Sequence, residues 1–146
     1  MHLAAFQPDI APNLGAMIRL TTCFGTGLHV IEPCGFPLSD KTLRRAAMDY
    51  TKNADITRHV NWENFLAHRP ASRLVLLSTK ASAQLWDFSF ARSDTLLVGQ
   101  ESSGVPDHVR DACDEAVCIP MPGGGRSLNV AMAAGIALSE ALRQTR

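Results

Sequence analysis

Charge of one sign is what this sequence lacks. Its 14 Lys and Arg are matched by 14 Asp and Glu, so the formal net charge is zero. A neutral chain does not hold nucleic acid through its overall field, and any basic contact surface must be local. Long apolar runs are also missing, and none approaches the roughly 18 residues of a membrane span. Hydrophobic residues still make up 46% of the 146 positions, enough for a proper core in one domain spanning residues 1–146. The start, Met1-His2-Leu3-Ala4-Ala5-Phe6, lacks the basic residues and long apolar core of a secretion signal. A cytosolic, cytoplasmic protein is the expectation. Cys23, Cys34, Cys113 and Cys118 form no C-x-x-C pair, and the five histidines form no H-x-x-x-H pair. No metal site is therefore expected, and the thiols read as buried and free. The chain has no internal repeat, low-complexity tract or clear linker.

What is present is alternation of strand and helix. His2 to Phe6 reads as a first strand, stopped by Pro8 and Pro12. Asn13 is a suitable N-cap for a helix to about Phe24, ended by Gly25 and Gly27. Leu28 to Glu32 reads as a strand. Ser39 or Asp40 caps a short helix carrying Lys41, Leu43, Arg44 and Arg45. Ile56 to Val60 is a weaker strand, and Asn61 caps a helix over Trp62 to His68. Arg73 to Ser78 and Thr95 to Gly99 read as strands, each with a continuous apolar run, Leu74 to Leu77 and Leu96 to Val98, as strands buried on both faces have. Residues 82–86 read as a loop, Pro106 begins a short helix to Ala112, and Ala116 to Ile119 is a last strand. Ser127 then opens a helix to Arg143. The pattern predicts an α/β domain with a mainly parallel sheet covered by helices on both faces.

In such sheets ligands sit at the carboxyl ends of strands. Three strand ends carry small, polar or glycine-rich loops: Leu77-Ser78-Thr79, Gly99-Gln100-Glu101-Ser102-Ser103-Gly104, and Ile119 followed by Gly123-Gly124-Gly125-Arg126-Ser127. If the strands are neighbours, these loops form one pocket that suits a flat, polar-edged group such as adenine. The Gly123 to Ser127 loop lacks the lysine and spacing of a P-loop, and Gly25-Thr26-Gly27 lacks the third glycine of a dinucleotide fingerprint. An anion at a helix N-terminus stays open. Lys41, Arg44, Arg45, Lys52, Arg58 and His59 make the middle of the chain basic. They read either as a solvated face or as a phosphate-contacting patch.

Three stretches, in this order, carry a family resemblance. They are Pro12-Asn13-Leu14-Gly15-Ala16-Met17-Ile18-Arg19, Leu97-Val98-Gly99-Gln100-Glu101-Ser102-Ser103-Gly104-Val105-Pro106, and Ile119-Pro120-Met121 through Arg126-Ser127-Leu128-Asn129-Val130. Together they resemble the SPOUT methyltransferases, in their RNA ribose 2′-O-methyltransferase branch. His29 to Pro37 and Lys41 to Tyr50 are similar to one subgroup, which acts at the wobble nucleotide, cytidine or uridine, of leucine tRNAs. The resemblance implies a C-terminal deep trefoil knot, S-adenosyl-L-methionine as cofactor, tRNA as substrate, and a homodimer with the site near the subunit interface. Other readings are methylation at another tRNA or rRNA position, a knotted RNA-binding protein without turnover, or an unknotted nucleotide-binding enzyme.

The resemblance also assigns residues. Leu77, Gly99, Glu101, Gly104, Ile119, Met121, Ser127 and Leu128 match the cofactor pocket, with Gly123 to Gly125 at its opening. Arg19 matches the catalytic arginine, and Asn13, Glu101, Ser127 and Asn129 match positions that orient the arginine, ribose or cofactor tail. Arg19, Lys41, Arg44, Arg45 and Arg126 are the implied RNA contacts. A free guanidinium is a poor base, its pKa being above about 12. Arg19 is therefore expected to bind phosphate and acidify the ribose hydroxyl electrostatically. Ser139 departs from the subgroup, where a tyrosine is expected.

Overall fold

The computed structural model describes residues 1–146. Seven strands form one sheet: β1 (His2–Phe6), β2 (Gly27–Ile31), β3 (Ile56–His59), β4 (Leu74–Leu77), β5 (Ala83–Gln84), β6 (Thr95–Val98) and β7 (Glu115–Cys118). Their spatial order is β3-β2-β1-β6-β4-β7-β5, and every pairing is parallel. Five helices cover it: α1 (Ala11–Phe24), α2 (Asp40–Ala47), α3 (Trp62–His68), α4 (Asp107–Asp111) and α5 (Val130–Thr145).

Strand periodicity sorts the core into two layers. Leu3, Ala5, Leu28, Val30, Val75, Leu96 and Val98 face one side, where Leu14, Met17 and Ile18 of α1 and Ala134, Ala137, Leu138 and Ala141 of α5 meet them. Ala4, Phe6, Ile31, Leu74, Leu76 and Leu97 face the other, under Trp62 and Phe65 of α3 and Val109 of α4. With both faces covered, the central strands have no polar side, which is why they read as continuous apolar runs. The chain winds from β1 out to β3, then crosses to β4 and returns β6 between β4 and β1. The crevice between the carboxyl ends of β1 and β6 is thus a reversal point, the place where such sheets bind ligands.

Two helix starts differ from the sequence reading. Asn13 is not a cap: α1 begins at Ala11, with Ile10 as N-cap, no side-chain hydrogen bond there, and Pro12 in its first turn. Proline fits because the first-turn N–H groups lack intrahelical partners anyway. Ser127 does not open the last helix. Asn129 does, and its Oδ1 accepts from the N–H groups of Ala131 at 3.0 Å and Met132 at 3.2 Å. Ser39 and Asn61 cap α2 and α3 as expected. Residues 82–86 are more than a loop, since Ala83–Gln84 add an edge strand to β7 and Leu85 is fully buried. The four cysteines are free, but none is fully buried: Cys23 is exposed and Cys34, Cys113 and Cys118 are half-buried. No helix is long and apolar enough to cross a membrane.

Candidate active site

Strands β6, β4 and β7 are neighbours, so the three loops converge as the strand reading required. They enclose a cavity of about 600 Å³, lined among others by Leu77, Gly99, Glu101, Gly104, Ile119 and Met121. Ser127, Leu128, Asn13 and Asn129 complete the wall on the helix side. The structure therefore brings together every residue expected around the cofactor. Gly123, Gly124, Gly125 and Arg126 are exposed and are not among the residues that line the cavity. The glycine triplet turns the chain between Met121 and Ser127, with Gly124 N–H donating to Met121 O at 3.0 Å.

Loop 99–104 is closed on itself. Gln100 and Gly104 exchange both backbone hydrogen bonds, at 2.8 and 2.9 Å. Gly104 takes a φ of +70° to do so. Gly99 must lack a side chain, because a Cβ there would come 2.5 Å from the Gly104 carbonyl carbon. The strand end and the loop's return thus pack backbone to backbone, which only glycine permits.

A hydrogen-bond chain ties this loop to both helices. The Asp9 N–H donates to Glu101 Oε2 at 2.7 Å, and Asn13 Nδ2 donates to Glu101 Oε1 at 2.9 Å. Asn13 Oδ1 in turn accepts from Asn129 Nδ2 at 2.9 Å. Each amide's orientation is set by its neighbour. Glu101 has both oxygens engaged in holding the wall, so it is an anchor rather than a free base. Asp9 was not among the sequence candidates. Its partners lie more than ninety positions away, and no local pattern marks such a contact.

The cavity fits an adenosine-bearing ligand by its donor set. The amide hydrogens of Ile119, Met121, Ser127 and Leu128 go to no acceptor within the chain. They lie beside the apolar side chains of Leu77, Val98 and Ile119. Main-chain donors next to an apolar slot are what a purine's edge and faces require.

Arg19 stands apart from this cavity. It is six residues beyond Asn13, roughly 9 Å along the helix axis at the usual rise, and it points elsewhere. Its guanidinium lies 4.7 Å from the centroid of the Tyr50 ring, with Nη2 at 3.5 Å from the Tyr50 hydroxyl. The two flank a shallower hollow with Pro12, Ala16, Leu20, Phe24 and Met48. Within one protomer Arg19 does not face the cavity.

The expected basic patch divides. Lys41, Arg44, Arg45 and Lys52 are exposed. Arg58 is engaged by Glu32 at 2.9 Å. His59 is buried, 1% exposed, with Nε2 at 3.0 Å from His29 Nδ1, and burial lowers its pKa. It contributes no charge to the patch. His29 is pushed down to about 4, first by burial and then by His2 and His59 beside it. No group of three or more His, Cys, Asp or Glu side chains is placed to hold a metal.

Comparison with known proteins agrees with this geometry. The chain is 51% identical over 144 residues to a tRNA (cytidine(34)-2′-O)-methyltransferase of Beijerinckia indica, covering 97% of this chain and 90% of that one. It is 37% identical to the enzyme of the same name from Escherichia coli K12, with 99% and 93% covered. A solved structure described as giving structural insights into the 2-OH methylation of C/U34 on tRNA superposes with a TM-score of 0.92 at 40% identity, covering 98% of this chain and 94% of that one. The SpoU methyltransferase AviRb from Streptomyces viridochromogenes, in complex with AdoMet, superposes at 0.86 with 28% identity, covering 99% of this chain and 60% of that one. The model of the SpoU rRNA Methylase family matches residues 1–139, and the chain belongs to that family.

Proposed function

We propose that this chain is a single-domain S-adenosylmethionine-dependent methyltransferase, residues 1–146. Its substrate is the ribose 2′-hydroxyl of the wobble nucleotide, cytidine or modified uridine, in cytoplasmic tRNA, leucine tRNAs among them. The observation that carries this is the strand-end cavity with unused amide donors, in a chain so similar over its length to named wobble-cytidine methyltransferases. A deep trefoil knot is consistent with the superposition on family structures.

S-adenosylmethionine, when bound, supplies a methyl group on a sulfonium, activated for displacement. The chain's task is alignment, worth several kcal/mol when reacting atoms are held in line. The amides of Ile119, Met121, Ser127 and Leu128 bind the adenosine. Leu77 and Gly99 wall the slot and exclude water. Glu101, Asn13 and Asn129 fix the wall's position. Arg19 binds the target phosphate and stabilises charge developing on the ribose oxygen. Lys41, Arg44 and Arg45, on the exposed side of α2, and Arg126 hold the tRNA backbone.

A second copy of the chain completes the site. Arg19 lines its hollow together with two exposed apolar side chains, Phe24 at 43% and Met48 at 62%. Apolar side chains grouped in this way are covered in the working molecule, and a homodimer formed over this hollow is what would bring one copy's Arg19 toward the other's cavity.

The test is methyl transfer to leucine tRNA transcripts, followed by mass mapping of the anticodon loop. A 2′-O-methyl group on the wobble nucleotide is the expected result. Methylation elsewhere moves the substrate, and RNA binding without turnover removes the activity.

A further inference from the structure

The chain leaves β1 through Gln7, whose φ of 44° lies in the left-handed region. Non-glycine residues are held there only when their surroundings fix them. The Gln7 N–H donates to Ile31 O at 2.8 Å, and the turn delivers Pro8 and Asp9 into the crevice between β1 and β6. From there Asp9 engages the 100–103 loop at several points. Its N–H donates to Glu101 Oε2 at 2.7 Å. Its Oδ2 accepts from the Ser102 N–H at 3.1 Å and from Ser102 Oγ at 2.6 Å. Its Oδ1 accepts from Gln100 Nε2 at 3.4 Å, and the other end of that amide, Oε1, accepts from Ser103 Oγ at 2.7 Å.

Asp9 is also braced from behind. The Gly35 N–H donates to Pro8 O at 2.9 Å, and a side chain at position 35 would fall 2.9 Å from the Asp9 Cα. The backbone carrying the carboxylate cannot retreat from the loop. Gln100, Glu101, Ser102 and Ser103 all line the cavity, whereas Asp9 does not.

We propose that Asp9 is a positioning residue of the methyl-transfer site, holding loop 100–103 in the shape that binds S-adenosylmethionine. This rests on the reading of the cavity given above. Asp9 acts on the ligand only through Glu101, Ser102 and Gln100. Its bond with Ser102 is exposed to solvent. Water can replace such a bond in an otherwise folded chain, so its loss costs little global stability. The loop's shape has no such substitute.

The experiment compares the full-length wild type with Asp9→Ala, Asp9→Asn, Ser102→Ala and the Asp9→Ala/Ser102→Ala double variant. Thermal midpoints, calorimetric Kd for S-adenosylmethionine, and KM and kcat with tRNA are measured. Asp9→Ala is expected to raise Kd and KM for S-adenosylmethionine about tenfold, the effect of losing a hydrogen bond to a charged group, with kcat and thermal midpoint much less changed. Asp9→Asn is expected to do less harm, because its amide oxygen still accepts from Ser102. Ser102→Ala is expected to add little to Asp9→Ala, since both remove one contact. Wild-type Kd and KM in Asp9→Ala overturn the proposal, as does a fall in thermal midpoint that accounts for the whole effect in both Asp9 variants. Wild-type protein that takes up no S-adenosylmethionine overturns the cavity reading and this proposal with it. Wild-type uptake with an unaffected Asp9→Ala overturns this proposal alone.

Discussion

Asn129 donates a hydrogen bond to Asn13 across 116 positions of sequence, at 2.9 Å. That bond joins the first helix to the N-terminus of the last. It also fixes which end of each amide faces which partner. Asn13 offers its oxygen to Asn129, leaving its nitrogen to donate to Glu101. Asn13→Asp replaces that donor with a second carboxylate oxygen facing Glu101. It should therefore be worse than Asn13→Ala, which leaves space for water. The expected loss of stability is about 1–3 kcal/mol, read from denaturant midpoints, with methyl transfer falling further in Asp than in Ala. Equal activity in the two variants would show that the bond's direction does not matter.

Gly99→Ala tests the closed loop. The added methyl meets the Gly104 backbone at 2.5 Å, so the loop must open. Overpacking of this kind costs about 1–3 kcal/mol. Calorimetry should show weaker uptake of S-adenosylmethionine. Unchanged uptake would mean that loop 99–104 does not set the cavity's shape.

Arg19→Ala should separate binding from chemistry. Arg19 is remote from its own cavity, so Kd for S-adenosylmethionine should stay at its wild-type value while kcat falls at least about 100-fold. On the proposed sharing of the site between two copies, mixing Arg19→Ala with Gly99→Ala chains should restore activity above either alone, because a mixed dimer would have one site with both parts intact. No recovery on mixing would place the arginine and the cavity in the same chain.

The histidine stack predicts a pH dependence of stability. His29 has a folded-state pKa of about 4, below the ordinary 6.5 of an imidazole, and His2 and His59 are also lowered. Burial is the largest cause in each case. It disfavours the charged ring, against the opposing pull of Asp55 on His2 and His29. The unfolded chain therefore binds more protons than the folded one between about pH 6.5 and 4. Stability is fully present above pH 6.5 and declines as pH falls through that window, by up to about 1.4 kcal/mol per pH unit for each proton taken up. His29→Phe should flatten the curve of denaturation midpoint against pH. An equally steep curve in that variant would assign the effect elsewhere.

Much of the fold was legible because the strands speak locally. Leu74 to Leu77 and Leu96 to Val98 are apolar without alternation, and that alone says parallel and covered on both faces. Ser39 and Asn61 cap the helices that follow because the partners of their side chains lie only three residues on. Asn13 misled for the opposite reason. Its side chain is claimed by Glu101 and Asn129, and tertiary partners outweigh a capping preference. Ser127 misled because the glycines before it looked like a helix entry, whereas Asn129 has the oxygen that reaches two free amides. The convergence of three strand-end loops was legible in the pattern of strands, and the individual lining residues came from the family resemblance. The isolation of Arg19 from the cavity was not legible, because spacing along a helix does not say which side of the protomer an exposed face will look toward.

Strand β6 is flanked by β1 and β4, and all three are synthesised before α5. Yet Ala134, Ala137, Leu138 and Ala141 are fully buried against the face those strands present, and Asn129 supplies the final link to Asn13. A growing chain therefore carries a sheet face covered only in part, by α1 and α2, and a half-built cavity until α5 leaves the ribosome. Contacts this distant in sequence form slowly. In the meantime the nascent chain displays apolar surface of the kind that chaperones engage. Competence to take up the cofactor arrives in one late event and does not build up gradually along the chain.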